Sequence, residues 1–381
     1  MSITAWIQRA RELGASDLHV EATTPVVVRI RGELSAIAEP VPAAEMERQA
    51  RGLLGAEAWA QFLARGSADL SIAQAGTRCR VNVYRTIRGT AIAVRLLTPS
   101  VQGLRDCNLH PDLRRFAEAP TGLVIVSGPT GSGKSTTLAA LVEEVNTSRA
   151  KHIITLESPI EYLFTNRRSM IRQREIPAHS PSFEQAIVDA LRENPDMLVI
   201  GEMRTPEVMR LTLNAAETGH LVLATMHSAT CAEALTRIAM SFPAEIQGNI
   251  RAQLADCLVG VVCQRLDYLP EHRLLVPRCE ILSANLAAKA TIRSGNMSQI
   301  VNVIQAGGED GMWTFERYGR WMEQRKDWVR PASAPGAPVE PPAAVASQDP
   351  GVPAAAPESA EEMDLAEIND LAREIERRIP D

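Results

Sequence analysis

The sequence contains no C-x-x-C pair. Its six cysteines stand apart at 79, 107, 231, 257, 263 and 279, a spacing that suits neither a zinc site nor a disulfide framework. They read as scattered buried thiols in a reducing compartment. No stretch approaches the ~18 uninterrupted apolar residues of a membrane-spanning helix. The N-terminus, MSITAWIQRARELG, lacks a long apolar core and carries charge early, so it does not read as a signal peptide, and the expected location is cytoplasmic. Positive charge is not in excess either. Against 46 Asp and Glu stand 40 Lys and Arg, for a formal charge of −6. With no basic–aromatic stretch, no direct nucleic-acid partner is expected. No internal repeat is visible.

What is present is the makeup of an ordinary globular protein: 381 residues, 45% hydrophobic and 23% charged, enough for about two domains plus extras. After a short helix at 4–13 come DLHVE, VVVRIRGEL, ADLSIA, TRCRVNVYRT and TAIAVRLL. Several of these alternate apolar and polar residues, as half-buried strands do. With segment 43–64 as a helix, residues 1–98 predict a small α+β domain with a mostly antiparallel sheet, ending at Thr98-Pro99-Ser100.

From about 110 the pattern changes to alternating strands and helices, the second domain extending over 99–330. Short apolar runs at 123–127, 153–157, 197–201 and 221–225 predict a parallel sheet buried on both faces. Helices are predicted over 134–146, 182–193, 205–217 and 230–240, with Ser182 a candidate cap. After 245 the chain reads as mostly helical, with a strand pair near 262–282. The Pro-, Ala- and Val-rich residues 331–358 predict a disordered linker. Residues 359–381 predict an amphipathic terminal helix that self-associates, docks loosely or binds a partner.

The run GPTGSGKS, Gly128–Ser135, lies between an apolar run and a helix-like run, the setting in which G-x-x-x-x-G-K-[ST] forms a phosphate-binding loop. Small residues let backbone N–H groups approach phosphate oxygens. Lys134 would reach the β- and γ-phosphates and the Ser135 hydroxyl would help hold Mg²⁺. The helix opening at Lys134 turns its positive end to the same place. The expected cofactors are ATP and Mg²⁺, held by Gly128, Pro129, Thr130, Gly131, Ser132, Gly133, Lys134, Ser135 and Thr136.

Hydrolysis needs more: metal ligands, a group to orient or deprotonate water, and positive charge on the γ-phosphate. Glu202 in MLVIGEMR stands at the carboxyl end of an apolar strand, where ligands sit in such sheets, and is a candidate Mg²⁺ ligand. TLESPIE follows another strand and offers Glu157 and Glu161, either of which could position the attacking water. His227 in LVLATMHS lies just beyond a third strand, with His220 seven residues earlier, and could sense the γ-phosphate through a hydrogen bond. Arginines 78, 80, 85, 88 and 95 punctuate the first domain. One or two of them could reach a γ-phosphate as arginine fingers, across a subunit boundary.

These motifs in this order resemble the secretion-type ATPases of the type IV pilus and type II/IV secretion superfamily. The resemblance runs from ASDLHVE through RCRVNVYRTIRG, SGPTGSGKSTTLAAL, ITLESPIEYLF, RQREI and ALRENPDMLVIGEMR to AAETGHLVLATMHS and AGGEDGMWTFE. It implies a RecA-like P-loop ATPase core preceded by a PAS-like module. It also implies that Glu161 is the water-activating glutamate, Glu202 the Walker B glutamate and His227 the functional histidine, with Arg80 and Arg95 reaching across a subunit interface. A homohexamer is implied, peripheral to the inner membrane through a platform protein. Ser158 and Thr205 depart from the family's usual Asp at those positions.

Three functions are compatible with this reading. One is a motor for type IV pilus retraction and twitching motility, favoured because the chain opens directly at the small domain and lacks a tetracysteine insert. The second is a motor for a type IV secretion or conjugative apparatus, favoured by the ESPIE variant shared with the Dot/Icm-type branch. The third, of a different class, is a nucleotide-gated regulatory subunit of another motor.

Overall fold

Period-two alternation shapes the first sheet. In the computed structural model, which describes residues 2–30, 33–96, 102–272 and 274–330, the strands are β1 (Asp17–Glu21), β2 (Val26–Ile30), β3 (Glu33–Ala38), β4 (Ser67–Gln74), β5 (Thr77–Thr86) and β6 (Gly89–Leu96). They pair antiparallel throughout in the order β3-β2-β1-β6-β5-β4. Cys79, Val81 and Val83 of β5 point inward and are fully buried. They pack with Trp6 and Ile7 of helix Ile3–Glu12 and with Met46 and Phe62 of helix Ala43–Arg65 in one apolar cluster. The intervening residues Arg78 and Arg80 therefore lie on the other face. Arg95 stands directly opposite Arg80 in the β5–β6 register.

The second sheet reads differently because it is covered on both sides. Its strands are β7 (Gly122–Ser127), β8 (His152–Glu157), β9 (Met170–Glu175), β10 (Met197–Ile200), β11 (Leu221–Met226), β12 (Leu258–Leu269) and β13 (Leu274–Ser283). The order is β13-β12-β7-β11-β10-β8-β9, all parallel except the β12–β13 hairpin. Along β7, Leu123 and Ile125 enter one core and Val124 and Val126 the other. Continuous apolar runs are what a strand with two buried faces requires.

The helices fall close to expectation: Lys134–Ser148, Phe183–Ala190 continued by a 3₁₀ turn to Glu193, Pro206–Glu217 and Cys231–Met240. Ser182 does cap its helix, its side chain accepting from the Gln185 N–H. The chain is thus α/β, with an antiparallel sheet leading into a P-loop core. Strand β9 was not foreseen, because MIRQRE carries only Met170 and Ile171 as apolar signal. Its position at the sheet edge explains why so little burial is needed. The boundary expected at Thr98–Ser100, the linker 331–358 and the terminal helix 359–381 lie outside the described residues. No helix among the described residues is long and apolar enough to cross a membrane.

Gly260 marks a close approach of strand and helix. A Cβ there would fall 2.4 Å from the Phe116 ring and 2.6 Å from the Leu282 carbonyl oxygen. Gly260→Ala should cost about 1–3 kcal/mol through overpacking. Gly52→Ala, in a helix with nothing within 4 Å, should instead stabilise by about 0.5–1 kcal/mol. Thermal melting of the two variants beside the parent checks both signs.

Candidate active site

The parallel pairing sets the carboxyl ends of β7, β11, β10 and β8 side by side. The register pairs Ser127 with Met226, and Ile200 with both Ala224 and Leu156. The loop Gly128–Ser135, Glu202, His227 and the segment Glu157–Glu161 leave these neighbouring ends. Side-chain and main-chain bonds fasten neighbouring loops together. Ser127 Oγ donates to the Ser228 carbonyl at 2.9 Å and accepts the Ser228 N–H at 2.8 Å. The Met203 N–H donates to the Thr225 carbonyl at 3.0 Å.

Within the loop, Gly128, Gly131 and Gly133 have φ of 149°, 78° and 83°, values in the left-handed region that glycine enters freely. At Gly128 space forbids a side chain as well, since a Cβ would lie 2.3 Å from the Gln264 carbonyl oxygen. Gln264 supports the loop from β12. Its amide donates to the Ser132 carbonyl, and its oxygen accepts from Thr137 Oγ1 at 2.7 Å. No side chain caps helix Lys134–Ser148, so its first N–H groups face the loop with the helix's positive end. Ser132 Oγ is buried without a hydrogen-bond partner among the described residues. Pro129, Thr130 and Gly131 form the exposed rim, with Ser135 and Thr136 half-buried in the first helical turn. This donor set, bare of acids and of Cβ atoms at the closest approach, fits a phosphate chain.

Lys134 is nearly buried. Its Nζ donates to the carbonyls of Gly128 at 2.8 Å and Pro129 at 3.0 Å. His227 Nδ1 lies 3.4 Å from the same ammonium, while its Nε2 lies 3.1 Å from Glu202 Oε1. Glu202 Oε2 in turn meets Arg204 at 2.8 Å. Lys134, His227 and Glu202 thus form one run of polar contacts, a hydrogen bond from Lys134 to His227 followed by a close ion-pair approach of His227 to Glu202. Burial draws the Lys134 pKa below its ordinary value, and the charges of Glu202 and Glu161 oppose that shift.

Glu161 is exposed, in the loop after β8. Glu157 is not equivalent to it. Burial pushes the Glu157 carboxyl above the usual range, against hydrogen bonds from Thr155, Gln173 and the Glu161 backbone N–H. Tyr162 OH sits 2.7 Å from Thr136 Oγ1, tying this loop to the phosphate-loop helix. His220 lies at the opposite end of β11, bonded to the Ala215 carbonyl at 3.0 Å and away from the cluster.

Arg80 and Arg95 belong to the first sheet, and Arg95 pairs with Asp17 at 2.9 Å. The fold does not gather these two around Lys134 by any bond among the described residues. Sequence reasoning missed Gln264 and Gln173, whose amides brace the loops; RQREI was the only signal for the latter. It also gave no sign that the buried Cys231, Cys263 and Glu280 would meet, their ligand atoms within 4.8 Å of one another.

The family model for the Type II/IV secretion system protein matches residues 1–308. A twitching motility protein of Neisseria gonorrhoeae is 42% identical over 240 residues, spanning 63% of this chain and 64% of that one. The chain therefore spans just under two thirds of that relative's length. The type IV pilus retractation ATPase PilT of Pseudomonas aeruginosa is 34% identical over 319 residues, covering 83% of this chain and 92% of the relative. A crystal structure of the pilus retraction motor PilT with bound ADP superposes with a TM-score of 0.76 at 33% identity, covering 86% of this chain and 98% of that one. Matched over more than three quarters of its length, and with the phosphate loop, glutamates and histidine brought to one sheet edge, the chain belongs to the Type II/IV secretion system protein family.

Proposed function

We propose that this chain is a Mg-ATP-hydrolysing motor that works as a homohexameric ring and powers type IV pilus retraction, hence twitching motility. The observation that carries the ATPase reading is the run Lys134–His227–Glu202 at the carboxyl edge of the sheet. In this reading the chain binds nucleotide at Gly128–Thr136. Lys134 exchanges its two carbonyl partners for phosphate oxygens. Mg²⁺ bound with the nucleotide would neutralise β- and γ-phosphate charge, with Ser135 and Glu202 the groups that hold it. Glu161, exposed in the loop after β8, takes the proton of the attacking water. His227, between Lys134 and Glu202, registers the γ-phosphate end by exchanging hydrogen bonds. Arg80 and Arg95, on the face of the first sheet opposite its core, serve as arginine fingers toward a neighbouring subunit.

The accompanying domain division is residues 1–98 as a PAS-like module and 99–330 as the RecA-like ATPase domain. A linker at 331–358 and a terminal helix at 359–381 complete it. The ring acts in the cytoplasm, peripheral to the inner membrane through a platform protein. Retraction is favoured over the secretion or conjugative motor because the relatives above are a twitching motility protein and PilT itself.

Deleting the gene in the native host, scored by electron microscopy and surface motility, tests the biological role. Excess pili without movement is the expected outcome; normal pili with normal movement moves the assignment to secretion. For the chemistry, Glu161→Gln should lower turnover by about 10²-fold or more while nucleotide affinity stays within about twofold. If parent turnover does not exceed that of Lys134→Ala, the regulatory-subunit reading replaces the motor. Arg80→Ala or Arg95→Ala should cut ring ATPase by about 10³-fold and spare nucleotide binding by the monomer. Unchanged ring turnover removes that arginine from the finger role.

A further inference from the structure

The loop that carries Glu161 is held by the edge strand β9. Gln173 and Glu175, two residues apart, share one face of that strand, and both turn to the loop. Gln173 Nε2 donates to the Tyr162 carbonyl at 2.8 Å, and its Oε1 accepts the Phe164 N–H at 3.0 Å. Glu175 Oε2 accepts the N–H of Ile160, the residue before Glu161, at 3.3 Å. The backbone is therefore gripped on both sides of Glu161. On the other face of β9, Arg174 is occupied with Glu193 at 2.9 Å and Asp189 at 3.9 Å.

The same Glu175 oxygen also receives the guanidinium of Arg78, from β5 of the first sheet. Both side chains are largely buried, and Glu175 is only 8% exposed. Arg78 and Arg80 lie on the same face of β5, but Arg78 is committed within its own chain. A buried carboxylate is costly to leave without its cation. If Arg78 withdraws, the carboxylate must turn toward water. Its bond to the Ile160 amide then changes.

We propose that Glu175 is a positioning residue for Glu161, and that Arg78 makes this positioning depend on where the first sheet lies. Rotation of that sheet away from β9 loosens the Ile160–Glu161 backbone; its return restores it. Hydrolysis and inter-sheet motion are thereby coupled through one carboxylate oxygen. This inference rests on the assignment of Glu161 as the water-activating base.

The test uses the full-length protein and compares the parent, Glu161→Gln, Glu175→Ala, Glu175→Gln, Arg78→Ala and the Arg78→Ala/Glu175→Ala double variant. Steady-state ATPase, ADP affinity and melting temperature are measured for each. Glu175→Ala should lower kcat about tenfold or more with KM and ADP affinity within about twofold. Glu175→Gln retains an acceptor for the Ile160 amide and should recover most of that loss. Arg78→Ala should resemble Glu175→Ala, and the double variant should be no worse than either single one, as expected for residues acting as one unit. Amide exchange at Ile160 should rise about tenfold in both single alanine variants, a readout independent of turnover.

Multiplicative losses in the double variant would overturn the coupling. Wild-type kcat and unchanged Ile160 exchange in Glu175→Ala would overturn the positioning role. If Glu161→Gln keeps full turnover, the assignment of the base is what fails. Exchange at Ile160 in the Arg78 and Glu175 variants then still decides whether the loop is held as described.

Discussion

Everything at the candidate site depends on the register in which β7, β11, β10 and β8 run parallel. Ladder pairing brings Ser127 level with Met226 and Ile200 level with Leu156, so four loops from distant parts of the chain leave one edge together. A slip of one residue would turn every side chain of a strand to the opposite core. Leu123, Ile125, Val222, Ala224, Leu198 and Ile200 all belong to one buried cluster, while Val124, Val126, Leu223 and Val199 belong to the other. Apolar burial on two faces thus fixes the register, and the register fixes the geometry of the polar groups. The reciprocal bonds of Ser127 and Ser228 add a local clamp between the phosphate loop and the histidine loop.

The electrostatics follow from that placement. A lysine ammonium almost withdrawn from water loses hydration, which is why its pKa falls. Two loop carbonyls and the nearby glutamates compensate in part. Anionic phosphate oxygens are stronger partners for that ammonium than neutral carbonyls are. His227 lies within reach of both Lys134 and Glu202, so a single imidazole bridges the ammonium and the carboxylate. Glu157 and Glu161, four residues apart, differ in environment. The first is half-buried and bonded to its own loop's backbone; the second faces solvent.

Much of this was legible in the residues themselves. The glycine spacing around Lys134 could form little else between a strand and a helix, and the apolar runs marked the parallel strands to within a residue or two. Glu202 and His227 were readable because each directly follows such a run. Legibility failed where function is carried by contacts distant in sequence. Gln264 lies 132 residues beyond the Ser132 carbonyl that it supports. Nothing local distinguishes it from any other strand glutamine. Strand β9 escaped because an edge strand needs half the burial of a central one, leaving MIRQRE without a hydrophobic pattern. Arg78 resembled its neighbours Arg80 and Arg85 in sequence, and only the approach of Glu175 sets it apart.

The separation of the apolar clusters says which parts can move. The core of the first sheet draws only on residues up to Leu96, and the two cores of the second sheet only on residues from Leu104 onward. No apolar cluster among the described residues spans both sheets. Each sheet therefore keeps its own hydrophobic stabilisation whatever angle it takes to the other, as is general for separately cored units within one chain. What resists rotation is then polar and local, and the Arg78–Glu175 pair is such a contact. A buried ion pair contributes little net stability while intact, yet is costly to leave half-broken. That asymmetry suits a joint with discrete positions better than one that flexes continuously. Because the carboxylate of the pair also holds the Ile160 amide, the discreteness would pass to the loop of Glu161, which under the proposed role of that residue is where placement of a base matters most.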